Sequence, residues 1–130
     1  MTVILAAALV GAVAVYGMYY ISPFGRHDRE AASYEQSMRV RALQVEGTRV
    51  IGGSAQVTSS PGNGGYCLLR STLEVVTPFT AAEFGDHLKA TGEDQIYQKV
   101  TQVKKEDSGF LLRIENGTLG EGGTLDLRCG

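Results

Sequence analysis

The chain has 130 residues, a length that suits one domain, with 12 Lys and Arg against 14 Asp and Glu for a net charge of −2. The two signs are interspersed, which excludes the electrostatic footprint of a nucleic-acid-binding protein or of one that adheres to an anionic surface. Even Lys104-Lys105 is followed at once by Glu106-Asp107 and reads as a solvated turn.

Residues Thr2 to Ile21 carry no charge, and nothing more polar than Thr2 and three tyrosines. At about 1.5 Å per residue, twenty helical residues span about 30 Å, the thickness of a bilayer's hydrocarbon core. Tyr16, Tyr19 and Tyr20 gather at the C-terminal end, where aromatic rings favour the headgroup boundary. The run predicts a transmembrane anchor over residues 1–21 that meets the lipid bilayer through residues 2–21. A cleaved signal peptide would need a basic segment ahead of a shorter apolar run, and no basic side chain precedes this one. Ser22-Pro23-Phe24-Gly25 is expected to break the helix.

Residues 22–43 read as an amphipathic stalk or linker. From His27 to Leu43, Ala31, Tyr34, Met38 and Ala42 recur at spacings of three and four and form a narrow apolar stripe. From residue 44 to 130 the period changes to two, which predicts a small α+β domain. In "YCLLRSTLEVV", Cys67, Leu69, Ser71, Leu73 and Val75 share one face; in "FLLRIEN", Phe110, Leu112 and Ile114 do so. "TLDLRC" predicts a last strand with Leu125, Leu127 and Cys129 inward against Asp126 and Arg128. Weaker strands are "TRVIGGSAQVTS", with a bulge or bend at Gly52-Gly53, and "QIYQKVTQVKK", followed by a turn at Asp107-Ser108-Gly109.

One helix is well signed between them. Thr80 and Glu83 make a capping box, Phe79 and Phe84 are placed for a hydrophobic staple, and Gly92 supplies the C-terminal left-handed residue. Phe84 and Leu88 are expected to face the core. The expected fold is therefore α+β: a transmembrane helix, then an antiparallel sheet of about five strands with one packed helix, in the order ββαβββ.

Few residues carry a chemical signature. The glycine-rich "SSPGNGGYC" has no lysine after its glycines and leads into a strand, so it is read as a hairpin loop and not as a phosphate cradle. "NGTLGEGG" is read the same way, with an Asn116-Gly117 turn in preference to a glycosylation acceptor. A metal site would have to draw on Cys67, Cys129, His27, His87 and nearby carboxylates, none of which shows paired ligand spacing, so no metal or cofactor is expected. Asp86 and His87 diverge by about 100° as helical neighbours and form no base–orienter pair, and no catalytic residue is assigned. Cys67 opens a strand and Cys129 ends the last one, both inward by alternation. Neighbouring antiparallel strands would bring them together as a disulfide closing a loop of about sixty residues.

The function expected is that of a membrane-anchored, non-catalytic interaction domain, an accessory subunit of a membrane or envelope complex with a protein partner in or at the membrane. The hydrophobic N-terminal helix, the proline near its end, the β-sheet and the late cysteine together look distantly like type IV pilins. That likeness is one of architecture and implies a filament subunit as the alternative. It departs from the family at the fifth position, Leu5, where pilins carry an acidic residue. A small membrane-tethered enzyme or ligand-binding module is the third class. Arg26 and Arg29 just after the span favour a cytoplasmic domain. The facing cysteines favour an oxidising compartment, and this second argument sets the expectation: a single-pass protein with a periplasmic or extracellular domain.

Overall fold

A computed structural model describes residues 2–59, 66–90, 97–120 and 126–129. Its elements are α1 (Thr2–Ile21), α2 (Pro23–Leu43), β1 (Arg49–Ser59), β2 (Cys67–Thr77), α3 (Ala81–Ala90), β3 (Tyr97–Glu106) and β4 (Gly109–Leu119). Residues 60–65, 91–96 and 121–125 lie outside the described set, and with them most of "SSPGNGGYC", Gly92 as the expected cap of α3 and the last three residues of "NGTLGEGG".

α1 occupies the apolar run from Thr2 to Ile21 and contains no buried residue. One residue separates it from α2. Ser22 takes an extended conformation, and its Oγ accepts from the Gly25 amide at 3.2 Å, so α2 starts at Pro23 and not near His27. Proline suits that first position, where its missing N–H has no helical partner to lose. Gly25 is needed for close approach, because a Cβ there would sit 2.1 Å from the Tyr19 carbonyl oxygen. Two further contacts fasten the helices. The Tyr19 hydroxyl donates to Asp28. Arg29 donates to the Tyr20 carbonyl at 2.7 Å and stacks 3.9 Å above the Tyr20 ring.

The sheet has four antiparallel strands in the order β1-β2-β4-β3. Its inward face carries Leu73, Val75, Leu112 and Ile114, and onto it pack Met38 and Ala42 of α2 and Phe84 and Leu88 of α3. α2 crosses β1 and β2, while α3 covers β3, giving two layers with one core. The apolar stripe of α2 thus belongs to the core layer: Ala31, Met38 and Ala42 are buried. β1 has its register shift between Val50 and Gly52, close to the glycine pair. The opposite sheet face is polar, with Arg113 donating to Glu74 across β4 and β2 at 2.9 Å.

Two sequence expectations need correcting. The fifth strand is not formed by the described residues of "TLDLRC". Residues 126–129 make a turn, with the Cys129 amide bonded to the Asp126 carbonyl at 3.0 Å. The alternation is inverted there: Asp126 is buried and Leu127 is 87% exposed. Asp126 is drawn inward because its carboxylate caps the turn, accepting from the Arg128 amide at 3.1 Å, and finds buried partners. The Asn116-Gly117 turn is likewise absent. β4 runs through both residues, Asn116 being in register with Ser71 on one side and Gln98 on the other. Pairing on two sides overrides the local turn preference.

Candidate functional site

The N-terminal turns of α2, the start of β2 and the C-terminal turn converge on one spot beneath the α1–α2 junction. Cys67 opens β2, whose inward alternation holds through Cys67, Leu69, Ser71, Leu73, Val75 and Thr77, all buried. The Cys67 carbonyl accepts from the Gly120 amide at 2.9 Å, so the exit of β4 lies beside it. Cys129 arrives through the C-terminal turn. The two sulfurs stand at disulfide distance, with the Cα atoms 4.6 Å apart. The predicted pair is thus brought together, but a turn, not a strand, delivers its second member.

Two residues join that pair which sequence spacing did not associate with it. His27 Nδ1 lies 3.1 Å from Cys67 Sγ and 2.9 Å from Asp126 Oδ2. All four residues are buried, and their ligand-type atoms lie within 4.8 Å of one another. His27 and Asp126 are 99 positions apart, so no local pattern could have paired them. Asp126 and Cys129, three apart across a turn, were the one faint signal.

Arg128 closes the cluster from outside. Its Nε donates to Asp126 Oδ1 at 2.9 Å and its Nη2 to Asp126 Oδ2 at 2.7 Å. Nη1 reaches Asp28 Oδ1 at 2.5 Å, Nη2 also reaches the Phe24 carbonyl at 3.2 Å, and the guanidinium lies 5.1 Å from the centre of the Phe24 ring. These contacts tie the C-terminal turn to the first turns of α2. Arg128 beside Asp126 holds that carboxyl well below the usual carboxylate range; burial opposes this, and the His27 hydrogen bond adds to it. A continuous polar chain therefore runs from Tyr19, at the end of the apolar helix, through Asp28, Arg128, Asp126 and His27 to the sulfurs.

The geometry limits the chemistry. A relay of nucleophile, base and orienter uses both ring nitrogens of the histidine, one for each partner. Here the single Nδ1 atom faces both Cys67 Sγ and Asp126 Oδ2. What the arrangement does supply is a buried set of two sulfurs, an imidazole nitrogen and a carboxylate oxygen, oriented by an arginine.

The other expected candidates stay apart. His87 is exposed on α3, its ring 4.6 Å from that of Phe79, while Asp86 is also exposed. An open groove between α2 and β1, beside the cluster, is lined by Ala31, Ala32, Ala55 and Val57 together with Asp28 and Arg128.

No protein-family model, no curated protein and no solved structure matches this chain.

Proposed function

We infer that the chain is a single-pass membrane protein whose folded part is a non-catalytic interaction domain, an accessory subunit of a membrane or envelope complex. The observation that carries this reading is the contrast between the two consecutive helices. α1 is apolar over 20 residues and buries none of them, whereas α2, one residue later, is built into the core. An apolar helix with no protein cover suits lipid or another protein's helix as its surroundings. The contacts of Tyr19, Tyr20, Asp28 and Arg29 leave little slack between the two helices. Such a domain works on partners within a few nanometres of the bilayer.

Pairing of Cys67 with Cys129 as a disulfide supports an extracytoplasmic domain, in a periplasm or on an extracellular face. A second reading, a filament subunit, draws on the same helix pair. A helix exposed on every side, projecting from a head in which the following helix lies under an antiparallel sheet, can bury its apolar surface against copies of itself.

Native membrane extraction of the tagged full chain, with cross-linking before solubilisation, tests both. A stoichiometric heterologous partner supports the accessory subunit, and a ladder of cross-linked copies supports the filament. A chain recovered as a monomer alone contradicts both.

A further inference from the structure

We propose that His27, Cys67, Asp126 and Cys129 form a tetrahedral site for one zinc-class divalent cation when the two sulfurs are present as thiols. The donor set carries the argument. Zinc is held in closed sites by four ligands drawn from thiolate, imidazole and carboxylate, at bond lengths of about 2.0–2.3 Å. A tetrahedron of those bonds places its donor atoms about 3.3–3.8 Å apart. The four donors here already lie within 4.8 Å of one another, and His27 Nδ1 is 3.1 Å from Cys67 Sγ. The two sulfurs must separate, which loss of the bond between them allows, and His27 Nδ1 must draw back by a few tenths of an ångström from Cys67 Sγ and Asp126 Oδ2, now 3.1 and 2.9 Å away. Two sulfurs and a nitrogen disfavour calcium and magnesium, which take oxygen ligands.

Charge balance fits as well. Two thiolates, one carboxylate and a neutral imidazole around a doubly charged cation leave one negative charge in a buried place. Arg128, shared with the half-exposed Asp28, brings a positive charge beside the site, donating to Asp126 Oδ1 at 2.9 Å through Nε and to Oδ2 at 2.7 Å through Nη2. A ligating carboxylate whose other oxygen is held by a hydrogen-bond donor is the outer support that metal sites use to orient their ligands.

The site and the disulfide exclude one another. A phosphine reductant takes the oxygen of one water and becomes the phosphine oxide, while the S–S bond breaks and each sulfur gains a hydrogen. The cation then displaces the two thiol protons to solvent and bonds both sulfurs. The same four residues thus staple the C-terminal turn covalently under oxidising conditions and through a metal under reducing ones.

The test uses the full chain in detergent micelles, with cobalt(II) as the spectroscopic probe for zinc. After phosphine reduction, one cobalt per chain is expected, with a thiolate-to-cobalt charge-transfer band and the visible bands of a tetrahedral ion. The oxidised chain should show neither. His27→Ala and Asp126→Asn should each weaken binding at least about 10-fold, since even the outer supports of such sites carry 10–100-fold effects. A reduced wild-type chain without the charge-transfer band overturns the proposal, whether or not it remains folded. So does equal binding by a Cys67→Ser/Cys129→Ser chain, which would place the metal on surface carboxylates. A band unchanged in both the His27 and Asp126 variants overturns the four-ligand site.

Discussion

Arg128 is the residue on which the C-terminal turn depends. It lies in sequence between an exposed leucine and a cysteine, yet it neutralises the buried Asp126 and reaches Asp28 and the Phe24 carbonyl. Removing one partner of a buried pair leaves an uncompensated charge at a cost of about 3–5 kcal/mol. Arg128 itself is about one-third exposed, its side chain at 34%, so solvent softens the loss. Arg128→Ala is expected to destabilise the domain by about 2 kcal/mol in denaturant unfolding, and Asp28→Ala by under about 1 kcal/mol. Equal costs would mean that the outer ion pair, not the buried one, carries the stability. Thr80 and Glu83 give a second residue-scale test. The Thr80 amide donates to Glu83 Oε2 at 2.8 Å, and the Glu83 amide donates to Thr80 Oγ1 at 3.3 Å. The backbone bond, then the side-chain bond, holds the Glu83 carboxyl below its ordinary range. A depressed folded pKa means that this contribution is present above the unfolded value and fades as pH falls through the folded one. Carboxyl NMR titration should show Glu83 titrating below the ordinary glutamate range. In Thr80→Ala that depression should shrink but persist, because the Thr80 amide remains as a donor, with about 1 kcal/mol of stability lost through the missing side-chain cap.

Elements whose signals were local were legible in the sequence. α1 spans the apolar run from end to end, because twenty uninterrupted apolar residues leave no competing period. α3 was legible because its cap, first turn and apolar pair agree. Phe84 and Leu88 are both fully buried. Phe84→Ala is accordingly expected to cost about 3 kcal/mol; a neutral result would remove α3 from the core. β2 and β4 were legible through alternation. What could not be read was decided by pairing or by distance. β4 continues through Asn116-Gly117 because neighbours on both sides satisfy its backbone. The final strand gives way to a turn because a carboxylate with buried partners outweighs the apolar preference of Leu127. The fit of α2 against β1 is likewise a matter of tertiary approach. A Cβ on Gly53 would lie 2.3 Å from Glu35 Oε1 and 2.8 Å from a Leu73 methyl. Gly53→Val should therefore displace the Glu35–Arg39 ion pair and press on the buried Leu73, destabilising the domain by about 1 kcal/mol. Unchanged unfolding would show that these side chains move aside freely.

At the scale of the whole molecule, an uncovered apolar helix leads through a one-residue break into a two-layer domain. The far end of that domain returns to the same junction. The polar chain from Tyr19 to the sulfurs makes the place where the apolar helix enters the domain also the place where the turn at residues 126–129 is fastened. His27 and Asp126 entered this cluster from opposite ends of the sequence. Alternation placed Cys67 inward, whereas Cys129 reaches it through a turn, and neither that route nor the buried surroundings of the pair could be read from the sequence. The central claim is that residues 2–21 remain as an anchor with the domain on the extracytoplasmic side. The most direct measurement is protease shaving of a chain carrying a C-terminal tag, on intact cells or spheroplasts, with intact-mass analysis of the membrane fraction. The tag should be lost without lysis, and the membrane should retain a species that includes Thr2 to Ile21. A tag protected until lysis would put the domain on the cytoplasmic side, and a mature N-terminus near residue 22 would show that the apolar helix is not an anchor.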